Sequence, residues 1–160
     1  FTSLESEHRR SPLLPSAIML LANAHMEEEE YQMARYYFDE YINRFDNGSL
    51  NEYVKYLKVK AKFLAFKEQF REQKLIHETL SEIRAYKEQF PNSSYIYLLN
   101  SMEARLFMAQ ATLDLEIASL YDRIDKPEAA KIYKKKAKIS WPETSTIKPV
   151  EVPWYRAIFE

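Results

Sequence analysis

The sequence of 160 residues contains no cysteine and only one glycine, Gly48. Without cysteine, neither a disulfide framework nor a thiolate metal site can form. Cysteine usage therefore does not distinguish an oxidising from a reducing compartment. Folds with many tight β-turns need several glycines at positive φ, so a single glycine favours a helical fold. It also excludes glycine-rich phosphate-binding loops and the G-x-S-x-G nucleophile motif.

The chain also lacks an excess of charge and a long apolar run. Lysine and arginine number 23 against 24 aspartates and glutamates, a net charge of −1, so we expect no nucleic-acid partner. The longest apolar run, 17–24, is far shorter than the ~20 residues that cross a bilayer. The sequence begins with Phe1 instead of Met, and we expect any signal peptide or lipid-bearing residue to lie upstream.

Helix-ending sequences recur at three places, which read RFDNGS, EQFPNSSY and SWPETS. Aligned on Asp46, Pro91 and Pro142, they are 45 and 51 residues apart, a period typical of stacked helical pairs. Small and aromatic residues recur at matching distances before the first and third of these places, and we call each set of matching positions a column. The members are Ala22, His25, Ala34 and Tyr37 before the first place, and Ala118, Tyr121, Ala130 and Tyr133 before the third. Such columns are expected where two helices cross closely.

The columns predict an all-α, tetratricopeptide-like solenoid of helical pairs with an extended, proline-rich C-terminal tail. The predicted repeat domain is 15–141, and its three pairs span about 15–48, 50–91 and 94–141. Residues 1–14 would be the remnant of a preceding repeat and a linker, and 142–160 would form the tail. In the second pair, Thr79 stands in the alanine column, so we expect this repeat to be degenerate.

The concave face of such arrays usually binds an extended peptide or a partner domain. In the second pair, the expected buried stripe consists of Val54, Leu57, Ala61 and Leu64. A second stripe of the same helix, Tyr56, Lys60 and Phe63, has no obvious partner within its own pair. Together with residues on the first helix, it predicts a peptide-binding groove that consists of Met19, Asn23, Met26, Tyr56, Lys60 and Phe63.

We find no catalytic or metal-binding constellation in the sequence. The three histidines, His8, His25 and His77, are not spaced as in HExxH, and His25 falls in an aromatic column where packing between helices is expected. The four glutamates at 27–30 favour a solvated turn near a helix N-terminus, with a cation site as the alternative. The sequence therefore predicts no cofactor, no metal and no enzymatic activity.

Two spaced motifs resemble the BamD/ComL family of tetratricopeptide lipoproteins. The first is ARYYFDEYINRFDNGSLNEYVKYLKVKAKF at 34–63, in which EYVKYLK at 52–58 is the most specific part. The second, at 86–123, resembles the family's next segment, where a helix ends in Tyr/Phe-Pro-Asn-Ser and the long helix after it carries an Arg-Leu pair, here Arg105 and Leu106. The resemblance covers about residues 15–145.

The resemblance implies a non-enzymatic adaptor of the outer-membrane β-barrel assembly machine. Such a protein would face the periplasm and would be held to the outer membrane by a lipidated cysteine upstream of Phe1. The implied partners are the periplasmic domains of the barrel subunit BamA, the C-terminal targeting strands of unfolded outer-membrane proteins, and other lipoproteins of the machine. The alternative is a generic tetratricopeptide chaperone or scaffold without a link to barrel assembly.

The chain departs from the family's pattern in its repeat number and in one contact column. Members commonly have five repeats, whereas this chain shows about three and a remnant. The family's helix at this place typically reads Ala-Ala-x-x-Arg, and its arginine contacts BamA. Here Ala129 and Ala130 match, but Tyr133 stands at the position of the arginine. The basic run KIYKKKAK at 131–138 is either a solvated face or a docking surface for an acidic partner or anionic head groups. The predicted docking residues are Lys131, Tyr133, Lys134 and Lys135.

Overall fold

The computed structural model describes residues 11–45, 50–66 and 73–140. Within these ranges the chain forms six α-helices and no strand: α1 (Leu14–Glu27), α2 (Tyr31–Phe45), α3 (Asn51–Phe66), α4 (Gln73–Gln89), α5 (Ile96–Arg123) and α6 (Pro127–Ser140). This confirms the predicted all-α, tetratricopeptide-like class. The predicted tail at 142–160, residues 1–10 of the expected remnant and the Asn47–Gly48 helix stop lie outside the described residues. None of the helices described is both long and apolar enough to cross a bilayer.

Helix α1 forms because its apolar residues repeat at helical spacing. Pro15 lies in its first turn, where a missing backbone N–H costs little. Leu14, Ile18 and Ala22 follow one another at intervals of four residues and are all buried. They belong to the face that packs on α2, whose own buried residues include Phe38. The amphipathic pattern thus places the core of this pair between its two helices.

The turns that join α1 to α2 and α5 to α6 have the same backbone design, with an offset of 96 residues. Both connecting turns contain a non-glycine residue in the left-handed region, Glu29 with φ 61° and Asp125 with φ 55°. In the first turn the N–H of Glu30 donates to the carbonyl of His25 at 2.8 Å, and in the second the N–H of Lys126 donates to the carbonyl of Tyr121 at 3.0 Å. The repeat inferred from the sequence therefore extends to individual backbone hydrogen bonds.

Side chains repeat with the same offset as the backbone. The four alanines of the predicted columns are at most 1% exposed: Ala22, Ala34, Ala118 and Ala130. Beside them, the rings of His25 and Tyr37 stack with centroids 5.3 Å apart, and those of Tyr121 and Tyr133 stack at 5.6 Å. Small side chains allow the helices to cross closely, and each ring pair fills the space near the turn.

The middle pair, α3–α4, has a threonine in the alanine column. Thr79 is fully buried in the alanine column, and its hydroxyl donates a 2.7 Å hydrogen bond to the carbonyl of Leu75 in its own helix. This bond satisfies the buried oxygen, so the hydroxyl needs no partner from α3. Of the predicted α3 stripe, Val54, Leu57 and Ala61 are buried and Leu64 is half-buried.

The chain divides into two compact units, Phe1–Ser93 and Ser94–Glu160. In the first unit, the extensively packed pairs among the described helices are α1 with α2, α2 with α3 and α3 with α4. In the second unit, α5 packs along α6. Each unit therefore has a helix–helix interface of its own.

Candidate functional site

An ionic cluster joins α2, α3 and α4 in the first unit. Glu82 of α4 accepts two hydrogen bonds from the guanidinium of Arg35 on α2, at 3.0 and 3.1 Å. It also accepts one from the ammonium of Lys62 on α3, at 2.9 Å, and the same ammonium lies 2.9 Å from Glu78. Lys62 is only 8% exposed. A buried ammonium needs such partners, so the cluster fixes how the three helices meet.

Both carboxylates of this cluster are held in the charged form. Burial raises the pKa of Glu82, but hydrogen bonds and charge from Arg35 and Lys62 outweigh it and bring this pKa below the usual 4.5. The hydrogen bond and the positive charge of Lys62 likewise lower the pKa of Glu78. Both carboxylates are therefore ionised at neutral pH.

A groove of about 340 Å³ lies between the same three helices, and Glu82 forms part of its wall. Its apolar lining consists of Ile42, Val59, Ala85 and Tyr86, and its polar lining of Asp39, Asn43, Lys55, Lys58, Glu82 and Gln89. Lys58 is ion-paired with Asp39, and the ammonium of Lys55 lies 5.6 Å from the centre of the Phe90 ring. The groove thus combines an apolar lining with charged side chains that already have neighbours of their own.

Sequence reasoning did not find this groove. Its residues come from three helices, and helical periodicity identifies the faces of one helix but not the neighbour that each face meets. A usable signal was the pair of lysines at i and i+3, Lys55 and Lys58, next to the predicted buried stripe. The predicted residues Tyr56, Lys60 and Phe63 occupy another face of α3, roughly a third of a turn away.

The six predicted groove residues lie on two helices. On α1, Met19 and Met26 are half-buried and Asn23 is exposed; on α3, Lys60 and Phe63 are half-buried. Tyr56 is only 6% exposed and its ring stacks on Tyr53 at 6.4 Å, so the inference that it lacked a partner was wrong. Among the described helices, α1 and α3 are not an extensively packed pair. The role of these residues in peptide binding stays a prediction.

The predicted docking residues of α6 have defined neighbours in the second unit. The ammonium of Lys131 lies 2.8 Å from Glu128, and that of Lys134 lies 2.6 Å from Asp122 at the end of α5. Tyr133 is half-buried against Tyr121, with the ammonium of Lys136 located 4.6 Å from its ring centre. Lys135 is exposed. Tyr133 therefore has a packing role, and docking through this helix stays a prediction.

The glutamate-rich turn between α1 and α2 brings one imidazole close to two carboxylates. Potential ligand atoms of His25, Glu28 and Glu30 lie within 4.8 Å of one another. The Nδ1 atom of His25 is 2.6 Å from a carboxylate oxygen of Glu30, and its ring stacks on Tyr37. These two contacts account for His25 as a residue packed between helices, as its column predicted.

Two comparisons with known proteins extend across both compact units. The YfiO family model, described as "Outer membrane lipoprotein", matches residues 1–149. Over 160 residues, the chain is 35% identical to the outer membrane protein assembly factor BamD of Helicobacter pylori (strain ATCC 700392 / 26695). That alignment covers all of this chain and 73% of the relative.

Proposed function

Because this chain belongs to the YfiO family of outer membrane lipoproteins, we propose that it is a non-enzymatic adaptor in outer-membrane protein assembly, located at the periplasmic face of the outer membrane. The observation that carries the proposal is the 35% identity over the whole chain to an outer membrane protein assembly factor. This match favours barrel assembly over the alternative of a general tetratricopeptide scaffold.

The chemistry of the described residues supports a mechanism that consists of binding alone. Their strongest charge cluster, which joins Arg35, Lys62 and Glu82, connects helices across the interior of a compact unit. Arg35 and Lys62 lower the pKa of Glu82, whereas a general acid or base needs a group that exchanges a proton near neutral pH. The function that fits such a scaffold is to present surfaces to partner proteins.

We further propose that α6 docks on the periplasmic domains of the barrel subunit BamA, and that other lipoproteins of the same machine are additional partners. Five lysines and one glutamate give α6 a strongly positive surface. Complementary charge mainly speeds association and selects the partner, so the contact is expected to depend on salt. Lys131, Lys134 and Lys135 carry the positive charge of this contact, and Tyr133 supports it from its packed position.

The test is a calorimetric titration with isolated BamA periplasmic domains from the same organism, at 50 mM and 300 mM salt. We expect binding that weakens with salt, and a loss of at least tenfold in affinity for the variant with Lys131→Glu, Lys134→Glu and Lys135→Glu. The control, Lys74→Glu, changes an ammonium that is 88% exposed on α4. Equal affinities for the triple variant and the wild type would refute docking through α6.

A second binding surface would receive the C-terminal targeting strand of an unfolded outer-membrane protein. We assign it to Met19, Asn23, Met26, Lys60 and Phe63, with Tyr56 as a buried support. Half-buried methionine and phenylalanine side chains offer adaptable apolar area that tolerates different strand sequences. The exposed amide of Asn23 and the charge of Lys60 would meet polar groups of the strand.

A labelled peptide with such a C-terminal strand tests this assignment in a fluorescence titration. We expect the double variant Met19→Ala, Phe63→Ala to bind at least fivefold more weakly than the wild type. The matched control is Met33→Ala, because Met33 is 44% exposed on α2, outside the proposed surface. If the control loses as much affinity as the double variant, or if neither loses any, the strand binds elsewhere.

A further inference from the structure

Two isoleucines of α6 are exposed on the side of the helix that faces away from α5. Ile132 is 57% exposed and Ile139 is 55% exposed. They are seven residues apart, which places them on one face, two helical turns and about 10 Å from each other. The opposite side of the helix buries Ala130 and Ala137 in the α5–α6 unit. The isoleucines are therefore not part of the interface that holds the unit together.

Lysines flank both isoleucines. By helical geometry, Lys135 and Lys136 lie on opposite sides of the line that joins Ile132 and Ile139, and we call these four residues the α6 ridge. The ammonium of Lys136 leans over the Tyr133 ring at 4.6 Å. Lys135 is exposed and forms no ion pair with any residue in the described ranges. The ridge thus places the unpaired charge of Lys135 beside two exposed apolar side chains.

The ridge is distinct from the part of α6 that faces the end of α5. Tyr133 stacks on Tyr121, and Lys134 pairs with Asp122, so these two residues point toward α5. On the helical wheel they lie roughly 100° or more from the two isoleucines. Lys135 belongs both to the ridge and to the proposed BamA contact, so a partner on the Tyr133 and Lys134 side would share this lysine and leave Ile132 and Ile139 accessible.

We propose that the α6 ridge docks on a surface of anionic phospholipids. Ile132 and Ile139 enter the head-group region, and the lysine ammonium groups bind lipid phosphates while their alkyl stems lie along the apolar boundary. Charge complementarity selects anionic over zwitterionic lipid, since each lysine near an anionic leaflet strengthens attachment about fivefold. The proposal rests on the membership of the chain in a family of outer membrane lipoproteins and not on the BamA contact.

A lipid surface fits this ridge better than an acidic protein does. The ridge is the convex side of a single helix with two separate apolar side chains, so a protein partner would need two recessed pockets at matching spacing. A bilayer adapts to such side chains without preformed pockets. A protein that is already held at a membrane also meets lipid at high effective concentration, so a weak ridge is sufficient.

Cosedimentation of the 160-residue chain with vesicles tests the proposal. The vesicles are pure phosphatidylcholine, or phosphatidylcholine with 30% phosphatidylglycerol, in 50 mM salt. We expect at least tenfold stronger binding to the anionic vesicles. We also expect the double variant Ile132→Ser, Ile139→Ser and the single variant Lys135→Glu each to lose at least fivefold in binding.

The matched control is the double variant Leu115→Ser, Leu120→Ser, which removes two side chains of α5 that are 53% and 48% exposed. It should bind anionic vesicles like the wild type, and circular dichroism confirms that each variant keeps its helices. Equal binding to both vesicle types, or isoleucine variants that bind like the wild type, would overturn the proposal. The proposal would also be overturned if the chain bound neither vesicle type and the Ile132→Ser, Ile139→Ser variant lost affinity for BamA. The ridge would then belong to a protein interface.

Discussion

Glu82→Ala is expected to lower the free energy of unfolding by about 3 kcal/mol at pH 7. The carboxylate accepts two hydrogen bonds from Arg35 and one from Lys62, and it is the only group of the cluster that contacts both. Its removal leaves the nearly buried Lys62 with Glu78 alone. Urea denaturation followed by circular dichroism measures the loss. The control is Glu88→Ala, an exposed position on the same helix, for which a change within about 0.5 kcal/mol is expected.

The difference between Glu82→Ala and the wild type should depend on pH in one direction. The folded-state pKa of Glu82 lies below the ordinary 4.5, so its stabilising effect is present above pH 4.5 and is lost as the pH falls through the folded-state value. Glu78 is present in both proteins, so its lowered pKa adds to the acid sensitivity of each and not to the difference between them. The two proteins should therefore converge in stability as the pH falls below 4.5. A difference that stays constant down to pH 3 would show that Glu82 contributes through packing and not through charge.

Ala34→Leu and Ala130→Leu are each expected to lower the free energy of unfolding by about 2 kcal/mol, because the larger side chain forces apart two helices that cross at a fully buried position. The two positions are equivalent in the two pairs, so the losses should be similar. Ala24→Leu is the control, since Ala24 is exposed on α1 and the change there should stay within about 0.5 kcal/mol.

The same denaturation measurement distinguishes close helix crossing from loose packing. If Ala34→Leu were as stable as Ala24→Leu, the crossing of α1 and α2 would have room for three further carbon atoms. The alanine columns would then reflect helix propensity alone, since both alanine and leucine are good helix formers.

The repeat could be predicted from the sequence because its signals are local and occur twice. Ala22, Ala34 and the rings beside them recur 96 residues later, and the helix ends on either side of the turn and the turn hydrogen bonds recur with them. The start of α6 comes from a single residue, Pro127, whose backbone preference is intrinsic. Such features need no knowledge of the neighbouring helices.

The candidate site was less predictable because it depends on which helix covers each face. Arg35 and Glu82 are 47 residues apart, and Lys62 reaches the same carboxylate from a third helix. Periodicity correctly placed Tyr56 beside Lys60 and Phe63 on α3, but it could not show that Tyr56 is buried. Pairings between helices result from tertiary packing, and one sequence alone contains no direct record of them.

The most direct test of the proposed role is depletion of the full-length protein in its own organism. Folded β-barrel proteins in the isolated outer membrane would then be quantified by their heat-modifiable migration in gels. A role in outer-membrane protein assembly predicts that folded barrels fall as the protein disappears and recover when it is expressed again. Folded barrels at normal abundance after complete depletion would contradict that role.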